Sequence, residues 1–257
     1  MRILSTLLFA VFISLNISAS SVSVISDFDD TIKRSNIPNI WPRGVANTIL
    51  WRKSYTGMPE LLNGLESEIN GLYVLSASPK VIKPFIKALL KKYQISYDDI
   101  FTRNILATEE KIAYKMNRIE SVLAKGSDKL ILIGDDVEAD QEVYLKISEK
   151  HPDRVEEIYI HNVVNREVPA GVTSFFTPYD IAVSEYKKGR LNYDQVEIVA
   201  NSIINTKIKK MYRVIPKYAY CPTEVLEFNY LVPEDLEILT AAVNMKIIAY
   251  CLARNVD

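Results

Sequence analysis

Short apolar runs alternate along the chain with longer stretches in which apolar residues recur every three or four positions. The short runs read as strands buried on both faces, and the three-and-four recurrences as helices that bury one side. The first strand is Ser23-Val24-Ile25-Ser26, stopping at Asp27. A helix is predicted over 59–68, and a second strand over 72–75, ending at Ser76. Next come a helix over 81–93, a short strand at 100–102 and a long helix over 109–125. The run Leu130-Ile131-Leu132-Ile133 is closed by Gly134-Asp135-Asp136, and a helix over 140–150 leads to strands at 157–160 and 174–176.

Strands that alternate with helices predict an α/β fold: a Rossmann-like parallel sheet with helices on both faces. In such sheets ligands bind beyond the carboxyl ends of the strands, where the strand order reverses. The polar clusters after Ile25, Leu75 and Ile133 are therefore expected to converge. From about residue 181 helices follow one another without strands, among them an amphipathic run over 233–254 with Leu236, Leu239, Val243, Ile247 and Tyr250 at helical spacing. The organisation expected is a leader over 1–20, a catalytic domain over 21–180 and a C-terminal helical extension over 181–257. No internal repeat or low-complexity segment interrupts it.

The leader is legible in Arg2, the apolar stretch from Ile3 to Leu15 and the small residues Ser18-Ala19-Ser20, which together read as a cleavable signal peptide. A membrane anchor needs about 20 apolar residues, more than this run supplies. No second stretch looks long and apolar enough to span a bilayer, so the mature protein is expected to be exported, periplasmic or secreted. Charge is balanced, 31 Lys+Arg against 32 Asp+Glu for a net of -1 in 257 residues, which argues against a nucleic-acid partner. Cys221 and Cys251 leave two readings open, one disulfide or two small buried hydrophobes.

The candidate chemistry lies in Asp27-Phe28-Asp29-Asp30-Thr31. Asp27 and Asp29 are two apart at a strand end, so a period of two sends both carboxylates to one side. One can attack phosphorus while the other protonates the departing oxygen. Two anions would repel an anionic substrate unless a cation sits between them, and hard Mg2+ prefers oxygen ligands. Asp135 and Asp140 would join Asp27 and Asp29 around that ion. Thr31 and Ser76 can donate to phosphoryl oxygens, and Lys115 or Lys111 can neutralise the nucleophile. A serine-nucleophile site at Ser76 or Ser78 lacks a GxSxG elbow, and its only candidate bases are His151 and His161.

Taken in order, DFDDT, Ser76 after LYVL, a lysine some forty residues later and GDxxxxD resemble the four motifs of the haloacid dehalogenase superfamily. The second aspartate favours its phosphoryl-transferring members. Within it, residues 22–185 resemble the actin-patch phosphatidate phosphatase-like catalytic domain family. The matching segments are Asp27 to Lys33, Gly57-Met58-Pro59-Glu60-Leu61, Ser76-Ala77-Ser78-Pro79, Tyr114-Lys115 with Ile119, Gly134-Asp135 with Asp140, Glu142 and Tyr144, and Ile158-Tyr159-Ile160. That resemblance selects Lys115 over Lys111. Lys80, Asp136 and His161-Asn162 depart from the pattern; Lys80 and His161 are read as a solvated helix-start lysine and a satisfied strand-end histidine.

The resemblance implies a Mg2+-dependent phosphatase working through an aspartyl-phosphate at Asp27, with Asp29 as acid/base and phosphatidate or a related lipid phosphate as substrate. A minimal cap is expected, since no segment between motifs is long enough for a separate cap domain, and Trp41, Trp51 and Tyr55 are read as a short flap. The basic runs Lys187-Lys188-Gly189-Arg190 and Lys207-Ile208-Lys209-Lys210 are either a solvated face or a peripheral membrane contact. Two rival functions are a phosphatase for a soluble phosphomonoester or phosphoprotein, and a catalytically idle binding protein on the same fold.

Overall fold

A computed structural model describes residues 21–35, 53–104, 109–126, 129–222 and 232–254. The signal segment and two of the expected flap residues, Trp41 and Trp51, lie outside the described residues. The strands are β1 (Val22–Asp27), β2 (Gly71–Pro79), β3 (Asp99–Arg103), β4 (Lys129–Asp135), β5 (Val155–His161) and β6 (Thr173–Phe175). They form one six-stranded sheet in the order β3-β2-β1-β4-β5-β6, with every pairing parallel. The chain leaves β1 toward β2 on one side and later returns to β4 on the other. That reversal puts the switch point between β1 and β4.

The helices are α1 (Met58–Leu65), α2 (Lys83–Lys92), α3 (Lys111–Ala124), α4 (Asp140–Lys150), α5 (Pro178–Lys187), α6 (Tyr193–Ile204) and α7 (Glu237–Arg254). Alternation within each strand divides the core in two. Val22, Val24, Leu72, Val74, Ile131, Ile133 and Tyr159 face α1, α2, α5, α6 and α7. Ile25, Leu75, Leu130, Leu132, Ile158 and Ile160 face α3 and α4. Both faces are dry, which is why β4 reads as an unbroken apolar run and not as an alternating one.

The change of pattern near residue 181 falls inside α5, and the C-terminal helices share a continuous core with the first sheet face. The boundary at 180 thus marks a change in element type, not a break in packing. Cys221 and Cys251 form a disulfide with Cα atoms 5.4 Å apart, tying the segment after α6 to α7. The expectation that no second stretch could span a bilayer does not hold. Among the described residues Glu234–Arg254 is long and apolar enough to cross a membrane, with a mean hydropathy of 1.5. Leu236, Val243, Ile247 and Cys251 nevertheless face the core, whereas Ile238, Met245 and Leu252 are exposed on the same helix. Amphipathic spacing masked an overall apolar composition.

Candidate active site

Strand register decides what meets at the switch point. Asp27 ends β1 level with Leu75, one residue before Ser76, and Ser26 is level with Ile133, two residues before Asp135. Three carboxylates thereby come together: oxygens of Asp27, Asp135 and Asp140 all lie within 4.8 Å of one another, in fully buried surroundings. Asp140 enters from the first turn of α4, and Gly134 is what admits it. A Cβ on Gly134 would lie 2.6 Å from Asp140 Cβ and 2.8 Å from Tyr144 Cε2, closer than packed atoms tolerate.

Lys115 rises from α3 into this cluster, its side chain only 2% exposed. Nζ donates to Asp27 Oδ1 at 2.7 Å and also to Asp140 Oδ1. Lys111, one turn earlier, instead pairs with Glu138 at 2.8 Å near the surface. Burial pushes the Asp27, Asp135 and Asp140 carboxyls up; Lys115 opposes the shift, and for Asp27 and Asp135 the neighbouring carboxylates add to it. Burial by itself would lower the Lys115 ammonium, but Asp140 and Asp27 outweigh it and hold the group well above its ordinary value. Three carboxylates facing one ammonium leave an excess of negative charge in a dry site. An oxygen-only donor set of that charge fits a hard divalent cation.

Asp135 is oriented by its own turn. Oδ1 accepts from Val137 N at 2.7 Å and Glu138 N at 3.3 Å, and Oδ2 accepts from Thr31 Oγ1 at 3.3 Å. Asp29 lives differently. Oδ1 accepts from Lys33 Nζ at 3.3 Å and from Ser35 Oγ, and Oδ2 accepts from Ser78 Oγ at 3.0 Å and Ser76 Oγ at 3.5 Å. From the sequence Asp29 is expected among the ion's ligands. Its carboxylate is taken up by four donors and stands outside the trio. Thr31 and Ser76, expected on phosphoryl oxygens, are buried and donate to the carboxylates of Asp135 and Asp29.

Asp30 makes the turn that returns Lys33 and Ser35 to Asp29. Its φ of 54° is left-handed, a conformation aspartate visits more readily than most residues. Its buried carboxylate accepts from Ser35 N at 2.9 Å and Tyr218 Oη at 2.6 Å, with Tyr55 Oη at 3.4 Å. Tyr55 is therefore no flap residue: it is 1% exposed, and its ring meets His161 edge-on with centroids 4.7 Å apart. His161 stacks on Phe175 from the other side, and its Nδ1 lies 2.8 Å from the Asp30 carbonyl, which can only accept, so Nδ1 carries the proton. Burial lowers its pKa from the ordinary value, against the opposing pull of the Asp30 and Phe176 backbone. Asp136 is structural too, its carboxylate accepting from the backbone N–H groups of Val163, Val164 and Arg166. Lys80 is exposed at the start of a 3-10 turn.

Sequence reasoning assigns no role to Asp30, Lys33, Ser35 or Tyr218, and considers Ser78 only as a serine nucleophile. Nothing local could have found Tyr218, 188 positions from Asp30.

A model of the catalytic domain of phosphatidate phosphatase APP1 matches residues 22–162. An uncharacterised protein of Schizosaccharomyces pombe is 24% identical over 157 residues, covering 57% of this chain. The chain spans only 26% of that relative's length. Among solved structures, a chain of the Pnkp1/Rnl/Hen1 RNA repair complex aligns with a TM-score of 0.41 at 18% identity, covering 55% of this chain and 43% of that one. Phosphoserine phosphatase from T. onnurineus aligns with a TM-score of 0.34 at 16% identity, covering 60% and 88%. Likenesses this loose carry no inference about what this chain does.

Proposed function

The chain belongs to the phosphatidate phosphatase APP1 catalytic-domain family, and from that membership and the geometry of its site we propose that it is a Mg2+-dependent phosphatase acting through an aspartyl-phosphate on Asp27. The observation that carries this reading is the setting of Asp27. It is a buried strand-end carboxylate held 2.7 Å from the Lys115 ammonium and faced by Asp135 and Asp140.

Asp27, Asp135 and Asp140 would hold Mg2+, which when bound would offset the repulsion between an anionic substrate and an acidic site. Lys115 fixes one Asp27 oxygen, leaving the other to attack phosphorus. As the Asp27 oxygen–phosphorus bond forms, the bond to the leaving oxygen breaks and Asp29 delivers a proton to it. In the second half Asp29 takes a proton from water, the water oxygen bonds to phosphorus and the acyl-phosphate bond breaks. Lys33, Ser35 and Ser78 hold the Asp29 carboxylate in place through the cycle. Thr31 and Ser76 would turn their hydroxyls to phosphoryl oxygens once substrate arrives.

Phosphatidate or a related lipid phosphate is the proposed substrate, supported by the family match. The apolar row Ile238, Met245 and Leu252 on α7, exposed at seven-residue spacing, supports a peripheral membrane contact. Export is proposed on the leader pattern of residues 1–20, and the Cys221–Cys251 disulfide suits an oxidising compartment.

The test is phosphate release from phosphatidate vesicles, with soluble sugar, protein and aryl phosphates alongside. Release from vesicles that stops on Mg2+ chelation and in Asp27→Asn is the expected outcome. Rapid turnover of soluble esters with vesicles untouched would replace lipid by a soluble substrate. Tight partner binding with no ester hydrolysed would make the chain a binding protein.

A further inference from the structure

A second polar site lies on the far side of the catalytic loop. Lys33 and Ser35 both reach Asp29 Oδ1, so by alternation the residue between them points the other way. Arg34 is 8% exposed; its Nε donates to Ser54 O and its Nη1 to Tyr212 O, each at 3.2 Å. It lines an open cavity of about 320 Å³ together with Lys53, Glu60, Lys92, Tyr93 and Arg213. That volume sits at the small end of ordinary ligand sites, about 300–1,000 Å³.

Four of the lining residues are cationic and one, Glu60, is anionic. Arg213 Nε and Glu60 Oε2 are buried with no hydrogen-bond partner among the described residues. Buried polar atoms are normally satisfied, so an unpartnered guanidinium nitrogen and an unpartnered carboxylate oxygen on residues lining one cavity point to a missing ligand that both accepts and donates. Guanidinium groups match phosphate and sulfate oxygens better than any neutral partner.

The cavity is also tied to the catalytic loop. Arg34 N donates to Lys53 O at 3.2 Å, Ser54 Oγ to Ile32 O at 2.8 Å and Thr56 N to Arg213 O at 3.0 Å. Lys33 and Ser54 form an antiparallel bridge. One thickness of chain therefore separates this cavity from Asp29.

We propose that the cavity between Arg34, Lys53 and Arg213 is a second anion site, taking a phosphate-type oxyanion that carries a small hydroxylated body. The oxyanion meets the guanidinium and ammonium groups, and a hydroxyl of the body donates to Glu60. The site is distinct from the phosphoryl site, and the proposal does not rest on the phosphatase reading.

Full-length Mg2+-free protein is titrated with sodium sulfate, against sodium chloride at matched ionic strength, and followed by melting temperature. Without a divalent cation the Asp27, Asp135 and Asp140 cluster repels sulfate, so the signal reports the cavity. Saturable stabilisation by sulfate and not by chloride is expected, weakened at least tenfold in Arg213→Gln and in Lys53→Gln. Both variants should still melt cooperatively in chloride. Equal responses to the two salts, or unchanged sulfate affinity in both variants, would overturn the site.

Glycerol phosphate and phosphatidylglycerol vesicles then separate the sources. Displacement of sulfate by glycerol phosphate without vesicle capture assigns a free anion. Vesicle co-sedimentation that Arg213→Gln abolishes assigns a lipid headgroup. Displacement by neither overturns the attached body.

Discussion

Asp27 and Asp29 are the same residue two positions apart, both buried, and the fold gives them opposite surroundings. Asp27 looks onto two further carboxylates and one ammonium, so its environment is short of positive charge. Asp29 looks onto an ammonium and three hydroxyls, so its environment is rich in donors. The difference comes from topology. Residues 135, 140 and 115 reach Asp27 from β4, α4 and α3, whereas the donors to Asp29 come from the returning loop and the end of β2. A deficit of positive charge suits a carboxylate that works beside a cation. A ring of donors suits a carboxylate that must be held in one position.

Four substitutions sharpen or break that contrast. Asp27→Asn keeps the shape and removes the nucleophile, and a fall of about 10,000-fold or more in aryl phosphate hydrolysis is expected. Retained turnover in steady-state assays would break the assignment. Asp29→Asn should cost roughly 100- to 10,000-fold on an alkyl phosphate, whose leaving group needs a proton, and much less on a nitrophenyl ester, which does not. Equal losses on the two esters would mean that Asp29 carries no proton.

Lys115→Met strips from the acidic trio the ammonium that pairs with it among the described residues, and metal-free protein should lose about 3–5 kcal/mol in denaturant melts. Mg2+ should restore part of that stability, since a cation takes over the missing charge. A variant as stable as wild type without metal would show that the trio needs no compensation. Ser78→Ala removes one donor from Asp29, a change of about 1 kcal/mol. It should slow alkyl phosphate turnover a few-fold while leaving Mg2+ affinity, read by calorimetry, unchanged.

The half of this contrast built on Asp27 was legible in the sequence and the half built on Asp29 was not. Asp27 and Asp135 each close an apolar run, as Ser76 does on the Asp29 side, and parallel register brings strand ends together whatever lies between. Asp140 then follows from a helix that must cross back over the sheet, whereas the choice of Lys115 over Lys111 rests on the family resemblance. The donors to Asp29 depend on a turn at Asp30 that no apolar pattern marks. β2 was also read too short, since its last residues Ser76 to Pro79 pair irregularly with β3 and look like a loop. Tyr55 was placed on a flap because aromatic residues in a polar stretch give no hint of burial, and its partners Asp30, His161 and Tyr218 are scattered along the chain.

The Tyr218–Asp30 contact has a bearing on how the protein is made. During synthesis β1 emerges first and β4 only after a hundred more residues, so Asp27 waits for the carboxylates that will surround it. The turn at Asp30 waits longer still, because the hydroxyl that grips Asp30 belongs to a segment clamped by a cysteine of α7. A nascent chain can thus complete its sheet while the turn beside Asp27 is still ungripped, and the acidic trio can assemble before the loop that serves Asp29 is locked.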